Sequence, residues 1–519
     1  MPATASPSPD ASAGRWTLVS AVLGSSMAFM DGTVVNVALP AIQRSMNASG
    51  ADAQWLIESY ALFLAALLLV GGALGDRFGR KRVFLVGVVV FTAMSAACAA
   101  AQDTGQLIAA RALQGIGAAL LVPGSLALLG ANFPEASRGR AIGTWSAFSG
   151  ITAAIGPVVG GFLVDHFSWR WAFLLNVPIG AALLFACLFK VPESRGDAAD
   201  GPIDVLGAAT ATLGLAGVVF ALIEAPTRGW GAAPVAIAGV VGLGGLAAFV
   251  ACEARVGNPM LPLHLFRDRD FAGANLLTLL LYAALGGGLY FVPLNLIQVQ
   301  GYAATAAGAA LLPFVAIMFV LSRWAGSLVD RMGAKIPLVV GPTIAAAGFA
   351  LLARPGVGGS YWTTFFPAIC VLGLGMTITI SPLTTIVMNA LGEKLAGTAS
   401  GVNNAVSRAA GLLAIAALGA VLAHVFQEQL HDALNGSKLP PDVADAVYAQ
   451  RSKLGAIAPP AGAASAVAAQ VRDAVGHAFV AGFRAAMLTS AGLALASALS
   501  AWWLISGRKP DPITKGSTP

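Results

Sequence analysis

The feature that most limits this chain is a succession of fourteen apolar runs, each long enough to cross a hydrocarbon layer, with few charges in between. They fall near 15–40, 53–73, 83–101, 105–130, 141–164, 171–190, 204–224, 232–252, 271–294, 304–325, 336–353, 361–388, 399–424 and 478–506. At about 21 residues per span, fourteen spans consume roughly 294 positions and leave connections of about 15 residues each. Such connections leave little room for a soluble catalytic domain. Only 10% of the 519 residues are charged and 57% are hydrophobic. Globular chains carry about 25% charged residues, so a water-facing surface of this size cannot be assembled, and disorder, collagen and coiled coil fail on the same numbers. We therefore expect an all-α polytopic membrane protein with 14 transmembrane helices.

Orientation follows from the basic residues of the short loops. With the N-terminus inside, the inner tails and loops hold eighteen Lys and Arg, among them Arg77, Arg80, Lys81 and Arg82, against four outside: Arg44, Arg170, Arg228 and Arg354. The expectation is N-in and C-in, with Trp169 and Trp171 at the outer interface. The net charge of +6 is spread along the chain, so no nucleic-acid face is implied. Cys98, Cys187, Cys252 and Cys370 lie in apolar runs without metal-ligand spacing, so no disulfide framework, metal site or cofactor is expected. The five histidines fall in loops or at span ends.

The chain repeats itself. Gly72-Ala-Leu74-Gly-Asp76-Arg77-Phe-Gly79 recurs as Gly326-Ser-Leu328-Val-Asp330-Arg331-Met-Gly333, five matched positions at an offset of 254 residues. Ala141-Ile-Gly143 is answered by Ala399-Ser-Gly401, and Pro40 with Gln43 by Pro293 with Gln298. This predicts a disordered cytoplasmic tail over 1–14, a six-helix half over 15–190, two inserted helices within 191–270, a second six-helix half over 271–506, and a cytoplasmic tail over 507–519. The long connection 425–477 is placed outside, as a small helical hairpin at the surface. Paired repeats around a central site are a common basis for alternating access in secondary transporters.

Four motifs carry a resemblance. They are Asp31-Gly-Thr33-Val-Val-Asn36-Val-Ala-Leu39-Pro40 in span one, Gly72 to Arg82 after span two, Arg111-Ala-Leu-Gln114-Gly115-Ile-Gly117 in span four, and Gly156-Pro157-Val-Val-Gly160-Gly161 in span five. With them the chain resembles, over essentially its whole length, the fourteen-span drug:proton antiporter family of the major facilitator superfamily. The span-five motif is similar to the pattern associated with antiporters. The resemblance implies a multi-pass protein of the plasma membrane that exports lipophilic compounds, with the proton as coupling ion and no other cofactor.

Each motif has a physical reading. Gly72 permits close helix approach, Asp76 is placed to favour the N-terminus of span three, and with Arg77, Gly79, Arg80 and the repeat pair Asp330 and Arg331 it forms a candidate conformational latch. Gly156, Pro157, Gly160 and Gly161 read as a packing and hinge device. Charges within the membrane are costly and mark pathways. Asp31 lies roughly 13 Å below the outer end of span one and Arg111 roughly 11 Å into span four, a shared depth. With Glu58, a turn or so into span two, they are the candidates for the proton or substrate route. Glu224, at the outer end of span seven, reads as an exposed acid. In the second half Asn404 and Arg408 form a polar stripe that reads as a cavity wall.

Other classes fare worse. No lysine follows a glycine anywhere in the chain, which removes the phosphate-cradling loop an ATP-driven pump needs. No His/Asp/Glu or Ser/His constellation sits at one depth, which argues against an enzyme. A proton-coupled importer or symporter of a small metabolite shares the fold and is the alternative, disfavoured by Gly156-Pro157. The acids point to cationic substrates, whereas Arg111 and Arg408 leave neutral and anionic ones open. Lipid is the surrounding partner, and the chain is expected to act as a monomer.

Overall fold

The computed structural model describes residues 11–195, 204–257, 259–391, 396–437 and 439–506. Most of this is helix, because backbone groups in hydrocarbon find no water and must bond within their own segment. Among the described residues, 14 helices are long and apolar enough to cross a membrane, the number expected. Five open the chain: α1 (Ala11–Met46), α2 (Gly50–Phe78), α3 (Arg80–Ala100), α4 (Thr104–Asn132) and α5 (Glu135–His166). The sixth span is broken into α6 (Trp171–Leu174) and α7 (Asn176–Lys190). The inserted pair is α8 (Val205–Arg228) and α9 (Ala233–Glu253). Then come α10 (Arg269–Leu294), a short α11 (Ala304–Ala309), α12 (Leu312–Met332), α13 (Lys335–Leu352), α14 (Tyr361–Asn389), α15 (Ala396–Asn435), α16 (Pro441–Ala449) and α17 (Ser465–Leu504).

Several boundaries have visible causes. Ser49 and Asp52 form a reciprocal cap on α2, with Ser49 Oγ accepting from Asp52 N at 3.1 Å and Asp52 Oδ2 accepting from Ser49 N at 2.8 Å, which satisfies two otherwise orphaned donors. Asp103 caps α4 by accepting from Gln106 N at 2.8 Å. Two expectations are corrected. Helix is already present at Ala11, so the N-terminal tail is shorter than the fourteen residues read from composition; residues 1–10 and 507–519 lie outside the described part. Among the described residues, the helical segments expected within 425–477 are present as α16 and the start of α17, but the connection is shorter than expected. The thirteenth span, α15, continues unbroken to Asn435 and α17 begins at Ser465, with only α16 and a 3-10 turn, Arg451–Ala456, between. No proline follows His424 before Pro440, so good helix formers simply extend the span.

Packing divides the chain into two compact units. The first takes the described residues up to Leu261 with Tyr290–Ala309 and Ala423–Phe479, and the second takes Pro262–Leu289, Ala310–Leu422 and the described residues from Val480 on. This division cuts across the repeat-based boundaries, because the inserted pair and the end of α10 pack with the first unit. Inside that unit Phe84, Phe91, Leu121, Met27 and Leu183 form the buried core where α1, α3, α4 and α7 meet. The crossing of α2 and α4 is closer still: a Cβ on Gly71 would lie 2.0 Å from the Ala119 carbonyl oxygen, and one on Gly115 2.4 Å from that of Tyr60. The close approach predicted at Gly72 therefore falls one residue earlier, and a Cβ on Gly72 would make only an ordinary contact with Pro123.

The repeat is also visible as chemistry within each unit. Trp145 Nε1 donates to Ser25 Oγ at 2.9 Å in the first. In the second, Asn403, at the 258-residue offset already seen for Ala141 and Ala399, donates to Thr278 Oγ1 at 2.7 Å and Asn275 Oδ1 at 3.2 Å. Each unit thus ties its fifth helix of the repeat to its first with one polar bridge.

The close crossing yields a test. Gly71→Ala is expected to cost about 1–3 kcal/mol through overpacking and to lower the melting midpoint of the purified protein. Gly130→Ala, with nothing within 4 Å of its Cβ position, is expected to melt with the parent.

Candidate functional site

Four helices of the first unit bring their polar side chains to one point. Asp31 on α1 and Arg111 on α4 form an ion pair in which the side chains of both are 0% exposed. The pair does not stand alone. Asp31 Oδ2 accepts from Arg111 Nη1, and Asp31 Oδ1 accepts from Gln114 Nε2 and from Asn176 Nδ2, each at 3.0 Å. Arg111 Nη1 also donates to Gln114 Oε1 at 2.8 Å, and Arg111 Nε donates to the Leu56 carbonyl at 3.0 Å. Its guanidinium lies 4.2 Å from the Tyr60 ring centroid. Asn176 reaches on to Ser95 Oγ at 3.0 Å, which donates to the Phe173 carbonyl at 2.9 Å. Burying a charge costs several kcal/mol unless its lone pairs and protons find partners; here both carboxylate oxygens are occupied.

The shared depth of Asp31 and Arg111 is thus a contact. Gln114, Asn176 and Ser95 complete it, and only Gln114 belonged to a motif. Gln114 had a spacing signal, three residues beyond Arg111 on one helix face. Asn176, at the start of α7, carried no such signal.

Glu58 is not part of this network. It is 0% exposed, and neither of its oxygens has a hydrogen-bond partner. The reason is helical geometry: Leu56 and Tyr60, four apart, both face Arg111, so Glu58 midway between them lies about 200° around the helix. Glu224 is more enclosed than expected, its side chain 14% exposed. It accepts from Trp55 Nε1 at 3.2 Å and Arg228 Nε at 2.6 Å, joining α8 to α2.

The latch region is a grip on the end of the sixth span. Asp76 pairs with the Arg80 side chain at 2.7 Å, so it does not serve the amides at the start of α3 as expected. Glu193 does that, accepting from Lys81 N at 2.9 Å and Arg82 N at 3.2 Å. Lys81 Nζ donates to the Leu188 carbonyl at 2.9 Å. Gly79 has φ +110° and a Cβ there would lie 2.9 Å from Glu193, so the turn admits no side chain. Arg77 is exposed and stands 5.7 Å from the Phe78 ring. Arg331 is exposed at the end of α12, and the Asp330 side chain lies outside the described residues.

The span-five motif packs as a small-residue face. Cβ atoms on Gly156 and Gly160 would lie 2.2 Å from Thr33 and 2.8 Å from Val34 on α1, and one on Gly161 would lie 2.5 Å from Ala304. The carbonyl of Pro157 meets Gly308 on α11 in the same way. Eight residues after Pro157, Asp165 accepts from Ala304 N, Thr305 N and Thr305 Oγ1 at 3.1, 2.8 and 2.6 Å, a clamp that no sequence motif signalled. In the second unit Asn404 is exposed and donates to the Ser400 carbonyl at 3.0 Å, and Arg408 is half-buried.

Residues 21–415 match the Major Facilitator Superfamily model. The chain belongs to the major facilitator superfamily. It is 33% identical over 513 residues to the tetracenomycin C resistance and export protein of Streptomyces glaucescens, covering 96% of this chain and 92% of that one. It is 37% identical over 408 residues to the multidrug resistance protein Stp of Mycobacterium tuberculosis, covering 78% and 75%. Among solved structures, a bacterial homolog of the human lysosomal transporter Spinster, in an inward-facing and occupied conformation, superposes with a TM-score of 0.66 at 16% identity over 94% of this chain and 96% of that chain. As a superfamily member this chain is a multi-pass integral membrane transporter and not an enzyme.

Two tests follow from the geometry. Asp31→Ala strands the buried guanidinium, and a destabilisation of roughly 3–5 kcal/mol is expected, read as a lower melting midpoint. Glu193→Ala removes the acceptor at the start of α3, worth about 0.5–2 kcal/mol, so amide hydrogen exchange at 81 and 82 is expected to quicken. Asp76→Asn is expected to leave it nearly unchanged.

Proposed function

We propose that the chain is a proton-coupled antiporter that exports lipophilic small molecules, cations among them, across the plasma membrane by alternating access. The observation that carries this reading is the 33% identity to a resistance and export protein over 96% of the chain, supported by two acids, Asp31 and Glu58, buried within the membrane-spanning helices. The positive-inside count supports an N-in and C-in orientation, and a single chain suffices for the cycle.

Asp31 and Arg111 supply the responsive element. A proton or a cation that arrives at Asp31 must displace one of the three donors on its oxygens. These donors come from two other helices, Arg111 and Gln114 from α4 and Asn176 from the start of α7. Released from Asp31, Arg111 still holds the Leu56 carbonyl of α2. Occupancy of one carboxylate is thereby converted into altered contacts among α1, α2, α4 and α7, without covalent chemistry. The Gly156 to Gly161 face, smooth enough to let α5 slide on α1, suits the conformational step. The 79–82 turn gripped by Glu193 fixes one end of the moving helices.

Inverted membrane vesicles test the coupling. With an inside-acid gradient and no nucleotide, they are expected to accumulate ethidium, used as a lipophilic cation, and to lose it when a protonophore collapses the gradient. Asp31→Asn is expected to lose gradient-driven accumulation at matched membrane levels while retaining ethidium binding. Accumulation that requires ATP would refute proton coupling.

A further inference from the structure

The inserted helices α8 and α9 lie against each other along a seam of glycines. A Cβ on Gly242 would lie 2.4 Å from Val218 N, and one on Gly217 2.5 Å from the Ala238 carbonyl oxygen, so the two backbones nearly touch, as small residues in a membrane allow. At one end the short turn after Arg228 joins the helices. At the other, α8 starts and α9 ends with no covalent link between them, and an acid stands at each terminus. Asp204 caps α8, and Glu253 is the last residue of α9.

Both acids are buried, Asp204 at 7% and Glu253 at 3% exposure. Each uses one oxygen on a backbone amide. Asp204 Oδ1 accepts from Gly207 N at 2.7 Å, and Glu253 Oε2 accepts from Leu261 N at 2.8 Å, which folds the connection after α9 back onto the helix end. The remaining oxygens, Asp204 Oδ2 and Glu253 Oε1, have no donor, and the two side chains are close enough for a hydrogen bond to run between them. Gly207 makes room for this, since a Cβ there would lie 2.4 Å from Asp204 Oδ2.

Among the described residues, the charge that acts on Glu253 is that of Asp204. α9 carries no other charged residue, and its Cys252 is half-buried. Arg255 after it, and His264 and Arg267 farther along the connection, are exposed. On α8 the polar neighbour is Thr210, whose hydroxyl donates to the Leu206 and Gly207 carbonyls. On α2, which packs against α8, the charged side chains at this end are Asp76 and Arg80, paired with each other, and the exposed Arg77. Two carboxylates in contact and out of water cannot both ionise at low cost, and such pairs hold one proton between them. A calcium ion takes about six to eight oxygen ligands, and only two oxygens are free here, so a proton is the occupant that fits.

We propose that Asp204 and Glu253 share one proton and so form a pH-sensitive clasp across the open end of the inserted pair. The proton is covalently bound to one of Asp204 Oδ2 and Glu253 Oε1 and hydrogen-bonded to the other. Hydroxide removes it: the O–H bond breaks, a water forms, and two carboxylates are left facing each other. Their repulsion parts the ends of α8 and α9. Because the same carboxylates hold Gly207 N and Leu261 N, the first turn of α8 loosens and the connection at Leu261 is freed. The clasp is independent of proton-coupled export, since neither acid belongs to the network of Asp31 and Arg111.

Two measurements on the purified full-length protein in lipid test the clasp without any substrate, each between about pH 6 and about pH 9, a range in which buried carboxyls titrate. In infrared difference spectra the parent is expected to lose a protonated-carboxyl stretch on going to the higher pH. That signal is expected to be missing from both Glu253→Gln and Asp204→Asn, because the introduced amide donates to the carboxylate that remains and leaves no proton to share. A signal missing from one variant only belongs to an ordinary buried acid, and a signal missing from neither belongs elsewhere; either result overturns the pair. Hydrogen exchange, corrected for its intrinsic pH dependence, is expected to show protection of the Gly207 and Leu261 amides falling about tenfold in the parent over the same range. Protection is expected to stay constant in both variants, where an amide keeps the clasp closed. Constant protection in the parent, or a fall that persists in both variants, overturns the switch.

Discussion

A charge pair with no access to water is the constraint from which the first unit is arranged. Two ions removed from water each carry a desolvation cost of several kcal/mol, and mutual attraction offsets it only where the remaining lone pairs and protons are also satisfied. Asp31 and Arg111 meet most of this through Gln114, Asn176, Ser95, the Leu56 carbonyl and the Tyr60 ring, with Arg111 Nη2 alone left without a hydrogen-bond partner. Those groups come from α1, α2, α3, α4 and α7, so the network fixes the register of five helices at one depth. Apolar packing alone gives no such register in lipid, since hydrocarbon tails solvate Leu and Val as well as a neighbouring helix does. The glycines at 71 and 115 let α2 and α4 approach closely enough for Arg111 to reach the Leu56 carbonyl.

What the sequence made legible follows the same physics. Span number was readable because a span must be apolar for its full length, and the charged members of the site were readable because charge in that environment is rare. Neutral polar residues carried no such signal. Asn176 and Ser95 look like any amide or hydroxyl in a helix, and only the fold shows that they meet Asp31. Glu193 was hidden because its partner amides at 81 and 82 lie more than a hundred residues away. Asp76 had the right sign and the right motif, yet a basic neighbour at Arg80 captured it first. The extension of α15 to Asn435 was missed because hydropathy ends at about His424 while helix propensity does not.

The two repeats preserve more than a loop motif. The Trp145 bridge to Ser25 and the Asn403 bridge to Thr278 use different residues for one task, joining the same pair of helices within each unit. Among the described residues, the buried ion pair of Asp31 and Arg111 is not duplicated in this way. The position that Arg111 occupies in the first repeat is served in the second by an apolar stretch of α14, and the ionisable groups discussed above concentrate in the first unit. Duplication therefore kept the scaffold and let the chemistry diverge.

On span two, Leu56 and Tyr60 touch the guanidinium on one flank, while Gln54 and the buried Glu58 lie on the other, all within two turns of a continuous helix. An α-helix resists twisting over so short a length because every turn is tied to the next by backbone hydrogen bonds. It therefore behaves as a short, stiff shaft, in which a rotation at one flank is carried to the other. Two binding events on opposite sides of such a shaft need no chain of intervening side chains to sense each other, since turning toward one is turning away from the other.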